Sequence, residues 1–142
     1  MYIIFDLDGT LADIRHRLHY IKDKPKDWNS FYKACVEDKP IRSMIILFRM
    51  LDNHKYNRIE IWTGRSSIVR KETEEWLLNY KLFYNELRMR DGNNYVQDYI
   101  LKEAWLKKSK TIPDLVFEDR ERVVEMWRSY GVQCCQVGDG NF

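Results

Sequence analysis

Apolar residues fall along the chain in short runs, separated by stretches with helical spacing. Tyr2-Ile3-Ile4-Phe5 is an apolar, partly β-branched run and predicts a strand over 2–6. From about residue 14 to residue 53 strand alternation is missing and a helical region is expected. Ile59-Glu60-Ile61-Trp62 alternates and predicts a strand over 58–62, followed by a helix over about 67–80. A short strand near 86–89 leads to a helix over 95–107, in which Val96, Tyr99, Ile100, Trp105 and Leu106 recur at helical spacing with Glu103 off their face. Leu115-Val116-Phe117 predicts a strand over 114–118, then a helix over 122–130 that Gly131 is placed to end, and a closing strand over 132–137. Strands alternating with helices in this way predict an α/β fold with a doubly wound parallel sheet and right-handed crossovers.

Composition agrees with this pattern and narrows the setting. At 142 residues, 44% hydrophobic and 14% aromatic, the chain reads as one domain, 1–142, large enough to bury a core. No segment approaches the roughly 18 apolar residues that a membrane span needs, so no membrane partner is expected. The first residues read as core strand and not as a leader. Cys35, Cys134 and Cys135 lack metal-ligand spacing and suit a reducing, cytoplasmic compartment. A net charge of +2 is too near neutral to demand a nucleic-acid partner.

The chemistry begins where the first strand ends. Asp6-Leu7-Asp8-Gly9-Thr10-Leu11 sets two carboxylates two residues apart at the carboxyl edge of a strand, where open α/β sheets hold their ligands. One carboxylate there can attack phosphorus while the other moves the leaving-group proton. Ile61-Trp62-Thr63-Gly64-Arg65 ends the second strand with a hydroxyl and exposed backbone N–H groups, a phosphate-binding arrangement at a strand-to-helix turn. Leu115-Val116-Phe117-Glu118-Asp119 ends another strand in adjacent acids, whose mutual repulsion a divalent cation relieves.

Asp6-x-Asp8-Gly9-Thr10, Thr63-Gly64, Lys102 in the third helix and Glu118-Asp119 occur in the order found in the haloacid dehalogenase superfamily of phosphohydrolases, which this chain resembles. The resemblance implies that Asp6 is the nucleophile forming an aspartyl-phosphate and that Asp8 is the general acid and base. It further implies that Thr63, Gly64 and Lys102 hold the phosphoryl group. Mg²⁺ is then expected on Asp6, the backbone carbonyl of Asp8 and Asp119, with Glu118 orienting those ligands. In that superfamily a cap grows between the first two motifs, so residues 13–40 are expected to form a small helical cap insert. Such a cap leaves the cleft open to bulky or polymeric substrates.

Over nearly its whole length, and least in 13–56, the chain is similar to a narrower family, the 3′-phosphatase domain of bacteriophage polynucleotide kinase–phosphatases. The similarity is carried by Leu87, Met89-Arg90, Lys102, Glu118-Asp119-Arg120, Val123–Arg128, Gly131-Val132 and the terminal Gly140-Asn141-Phe142. No Gly-x-x-x-x-Gly-Lys-[Ser/Thr] occurs, so this sequence carries no kinase half. Where many superfamily members carry a further acid, this chain has Val123. The implied activity is removal of 3′-phosphates from nucleic-acid ends. The alternatives are a phosphatase of small nucleotides and a catalytically inactive nucleic-acid-binding module. Arg65, Arg70, Arg88, Arg90 and Arg120 are expected near the carboxyl edge, with Arg65 and Arg90 the candidates for substrate phosphates. His16, Arg17, Tyr20, Trp28 and Tyr32 either stack bases or pack the cap.

Overall fold

The computed structural model describes residues 1–140; Asn141 and Phe142, part of the C-terminal resemblance, lie outside the described residues. The opening apolar run forms β1 (Tyr2–Phe5). A two-residue strand β2 (Ala12–Asp13) follows, then the short helices α1 (His19–Lys22) and α2 (Trp28–Lys33). Next comes β3 (Lys39–Pro40), which pairs antiparallel with β2. Then α3 (Arg42–Asp52), β4 (Arg58–Ser66), α4 (Arg70–Asn79) and β5 (Glu86–Arg90) alternate. α5 (Asp98–Lys108), β6 (Leu115–Glu118), α6 (Glu121–Ser129) and β7 (Gln133–Gln136) complete the series.

The large sheet has the order β5-β4-β1-β6-β7, with every neighbouring pair parallel. Both faces are covered, which is why β1 is an unbroken apolar run. Ile3 and Phe5 pack with Ile45 and Phe48 of α3 and Trp76 and Leu77 of α4. The Phe5 ring lies 4.8 Å from Phe48 and 4.6 Å from Phe117. Ile4 faces the opposite layer, with Leu106 of α5 and Val124 and Trp127 of α6. From β1 the chain builds outward to β4 and β5, then returns to lay β6 and β7 on the other side of β1. The order reverses at β1, so a crevice opens at its carboxyl end. Among the described residues no helix is long and apolar enough to cross a membrane.

Several expected elements are revised. The region 14–53 is not continuously helical: single helical turns at Arg15–Arg17 and Ala34–Glu37, α1, α2 and the β2–β3 ribbon precede α3. Ile14, Leu18, Ile21 and Phe31 form a small apolar cluster of their own there. β4 runs four residues past the expected end, because a register shift between Thr63 and Ser66 keeps it paired with β5 as far as Ser66 opposite Arg90. A single turn, Ser67–Val69, then precedes α4. Gly131, at φ +75°, ends α6 as its position predicts.

α5 begins at Asp98, and its buried stripe is Leu101, Lys102 and Leu106, with Ile100 on the outside. The expected face was displaced because a lysine counted as polar although its ammonium is paired inside. Burial makes a direct prediction. Leu101→Ala should cost about 2–5 kcal/mol in chemical denaturation, whereas Ile100→Ala should cost no more than about 0.5 kcal/mol. The reverse ranking would place the helix the other way round.

Candidate active site

Asp6 follows β1 directly, and its backbone N–H donates to Phe117 O at 2.9 Å, which fixes it beside the end of β6. Lys102 reaches up from α5, and its ammonium donates to Asp6 Oδ1 at 2.6 Å and to Glu118 Oε2 at 2.7 Å. The other Glu118 oxygen accepts from the backbone N–H groups of Asp119 and Arg120 at 3.2 and 3.3 Å. Glu118 therefore braces both the lysine and the turn carrying Asp119. Asp6, Glu118 and Asp119 are all buried, each with a carboxylate oxygen within 4.8 Å of the others.

Three carboxylates gather around the Lys102 ammonium in a dry place, with the Arg120 guanidinium also within electrostatic reach of all three. Burial, then the charge of Glu118, pushes the Asp6 carboxyl up to about 8. Burial, then Asp6 and Glu118, pushes Asp119 up to about 9. The Lys102 ammonium is held well above its usual range by Asp6 and Glu118, although burial opposes this. Among the described residues Asp119 Oδ1 is buried without a hydrogen-bond partner. Gly9, at φ +86°, admits Asp119 to this position, since a Cβ there would lie 2.1 Å from Asp119 Oδ2. An unpartnered carboxylate oxygen in an all-oxygen acidic cluster is the donor set a hard divalent cation takes. The residues fit such an ion.

Asp8 faces the opposite pole. Arg65 donates to its Oδ1 through Nε at 3.1 Å and again through Nη2, and Arg17 Nη2 donates to the same oxygen at 3.1 Å. Behind them Asp38 accepts from Arg17 Nε and Nη2, both at 2.7 Å, and from Arg65 Nη2 at 2.8 Å. His16 Nε2 lies 2.8 Å from Asp38 Oδ1, and the Trp76 indole donates to Asp38 O at 2.8 Å. Burial alone would raise the Asp8 carboxyl, but the Arg65 and Arg17 guanidiniums outweigh it and hold it down at about 2. The bulged end of β4 is what aims Arg65 inward; bulges beside active sites commonly re-aim a side chain.

Of the residues singled out in the sequence, Asp6, Lys102, Glu118 and Asp119 meet in one cluster, with Asp8 at the same cleft. Thr63 is fully buried, and its hydroxyl accepts from the Arg65 N–H at 3.1 Å, while Gly64 lines the cleft. Arg90 borders the cleft, but its guanidinium is committed: Nε to Gly64 O at 2.8 Å, Nη1 to Val96 O at 2.5 Å, and Nη2 to Asp98. Arg120 pairs with the other Asp98 oxygen at 2.9 Å.

Arg70 and Arg88 are not in the cleft. Arg70 pairs with Glu74 at 3.0 Å, and Arg88 lies over the Trp62 ring at 4.5 Å, two residues short of the end of β5. Arg17 is fully buried and so is not a stacking surface. Sequence reasoning missed Asp38 and Asp98 altogether. The only hint of Asp38 was Asp-Lys-Pro after a helical stretch, which reads as an ordinary turn. The cleft holds about 530 Å³, and Trp28, Phe31, Tyr32 and residues 94–99 are among those that line it.

The same architecture occurs in solved proteins. A chain of the Pnkp1/Rnl/Hen1 complex superposes with a TM-score of 0.82 at 28% identity, covering 99% of this chain and 47% of that one. A second, from the Pnkp1/Rnl/Hen1 RNA repair complex, gives 0.80 at 29%, covering 99% and 43%. This chain thus spans less than half the length of either. YfnB, a haloacid dehalogenase-type hydrolase from Bacillus subtilis whose structure has magnesium bound, shares the fold with a TM-score of 0.63 at 11% identity, covering 95% of this chain and 87% of that one. The profile of the polynucleotide kinase PNKP phosphatase domain matches residues 1–142. With the match running the whole length, and with Asp6, Lys102 and Asp119 gathered at the reversal point of a parallel sheet, the chain belongs to the PNKP phosphatase domain family of haloacid dehalogenase-type phosphatases.

Proposed function

We propose that this chain is a Mg²⁺-dependent phosphomonoesterase that removes 3′-phosphates from nucleic-acid ends through an aspartyl-phosphate on Asp6. The observation that carries the reading is the Asp6 carboxylate held 2.6 Å from the Lys102 ammonium, beside the unpartnered oxygen of Asp119. Support for a nucleic-acid substrate comes from the two relatives with TM-scores of 0.82 and 0.80, both from the same complex, which one of their names ties to RNA repair. The 13–40 segment, with its own apolar cluster, is the small cap over the cleft.

Asp6 attacks the phosphoryl group, and Lys102 fixes its carboxylate and offsets charge on the group in transfer. Thr63, whose oxygen already accepts from Arg65, has its O–H left to donate, and with Gly64 it holds the phosphoryl oxygens. Asp8 moves protons. Arg65 and Arg17 keep it ionised between turnovers, the form that takes a proton from the hydrolytic water. A phosphate dianion entering beside it adds negative charge and raises its proton affinity, so it can carry the leaving-group proton in the first step. Asp6, Asp119 and the Asp8 backbone carbonyl would hold Mg²⁺, with Glu118 bracing them. When bound, the ion supplies the positive charge that lets a carboxylate approach a phosphate. Free thiols at Cys35, Cys134 and Cys135 suit a cytoplasmic setting.

The substrate is tested by phosphate release from 3′-phosphorylated oligonucleotides and from nucleoside 3′- and 5′-monophosphates. Activity should vanish in excess EDTA and return with Mg²⁺. kcat/KM should rise on going from mononucleotide to oligonucleotide, and the gain should shrink with added salt. Equal or faster turnover of mononucleotides, with no salt-sensitive length effect, would make the enzyme a nucleotidase.

The acidic cluster makes a second prediction. Mg²⁺ should raise the wild-type Tm by mass action. Asp119→Asn removes one of three crowded acids, so it should raise the metal-free Tm by a few degrees, erase the Mg²⁺-induced shift and abolish turnover. A lowered metal-free Tm with the Mg²⁺ shift intact would show that Asp119 is structural and not a ligand.

A further inference from the structure

One wall of the cleft plays no part in the phosphoryl chemistry. Trp28 and Tyr32 stand one helical turn apart on α2, with rings 5.9 Å apart and 29° between their planes. Phe31, which is 3% exposed, meets Trp28 at 5.7 Å and Tyr32 at 5.6 Å, edge-on in both cases, and supplies the packing that anchors the helix. Trp28 itself is left 42% exposed. A large ring left open beside a polar floor forgoes the hydrophobic gain of burial, so packing does not account for it.

The two rings also connect with the chemistry. Trp28 and Tyr32 line the same cleft as Asp6, Asp8 and Glu118, and Tyr32 lies within electrostatic reach of Asp8, Arg90 and Asp98. Asn94, Gln97 and Tyr95 line the same cleft, the last 87% exposed. The cleft's 530 Å³ is far more room than a phosphoryl group occupies. Lys26 Nζ lies 5.6 Å from the Trp28 ring centroid, which puts a cation beside that ring. Aromatic rings flanked by cations along an open groove are the combination that binds single-stranded nucleic acid without sequence preference.

We propose that Trp28 and Tyr32 form a shelf that stacks the base of the nucleotide whose 3′-phosphate is removed. This rests on the nucleic-acid reading above and names the part of the cleft that tells a nucleotide from any other phosphomonoester. Stacking is indifferent to base identity, so the shelf gives preference for a base over none, with little discrimination among the four.

The test compares two oligonucleotides identical except that the 3′-phosphorylated terminal nucleotide either carries a base or is abasic. The wild type should favour the base-bearing end by about tenfold in kcat/KM, carried mainly by KM. Trp28→Ala/Tyr32→Ala should bring that ratio close to one, and Trp28→Phe/Tyr32→Phe should restore most of it. Trp28→Ala alone, at an exposed ring, gives the same reading in reduced size if the double variant folds poorly. A wild-type ratio near one, or a ratio that survives both alanines, overturns the shelf while leaving the 3′-phosphatase reading in place. If the wild type processes neither oligonucleotide yet hydrolyses p-nitrophenyl phosphate, the nucleic-acid reading falls and the shelf falls with it.

Discussion

Like charges crowded at the carboxyl edge of a parallel sheet set the terms for the rest of this molecule. Asp6, Glu118 and Asp119 approach within 4.8 Å of one another, with Lys102 bonded between Asp6 and Glu118 and Arg120 within electrostatic reach of all three. Two unit charges about 4 Å apart repel by roughly 4 kcal/mol at an effective dielectric near 20. Folding tolerates this because the sheet on either side of β1 is packed with Phe5, Phe48, Phe117, Trp62 and Trp127. The stored repulsion makes the site receptive to a cation and to the phosphoryl group such a cation accompanies. Lys102 is central to this balance: it is an ion pair in the core, and without it two buried carboxylates would face each other directly.

A second, opposite concentration of charge stands a few residues away. Arg17 and Arg65 converge on Asp8, with Asp38 behind them as counter-ion. Burial and Glu118 raise the Asp6 carboxyl, whereas Arg65 and Arg17 hold the Asp8 carboxyl down, so two acids of one loop sit in opposite electrostatic surroundings. Asp38 also ties residues 13–40 to the core, since it joins Arg17 of that segment to Arg65 of β4 and accepts from Trp76 of α4. Anchoring of that segment and ionisation of Asp8 therefore depend on the same buried side chains.

What could be read from the sequence follows from how far each signal is local. β1 and β6 were visible because strands buried on both faces are apolar runs, and β4 because its apolar residues alternate; Asp6 follows β1, Asp119 follows β6, and Thr63 lies three residues before the end of β4. The orientation of α5 was not visible: Lys102 looks like a solvent residue until Asp6, 96 positions earlier, is known to receive it. Residues 14–53 resisted for the same reason. Their short helices and two-residue strands are fixed by Arg17, Asp38 and Phe31 reaching across the fold, which leaves no periodic trace. Arg90 marks a different limit. A sequence places an arginine near an edge but does not say whether its N–H groups are open to a ligand or already taken by Gly64, Val96 and Asp98.

The role given to Asp6 is open to direct observation. Enzyme mixed with a 3′-phosphorylated oligonucleotide and Mg²⁺, quenched in acid during steady turnover and digested, should yield a phosphoryl adduct on the peptide containing Asp6. The adduct should be absent with EDTA and absent in Asp6→Asn, whose turnover should fall by about 10⁴-fold or more. Undiminished turnover by Asp6→Asn, or a phosphoryl adduct on another side chain, would contradict the assignment of Asp6 as the nucleophile.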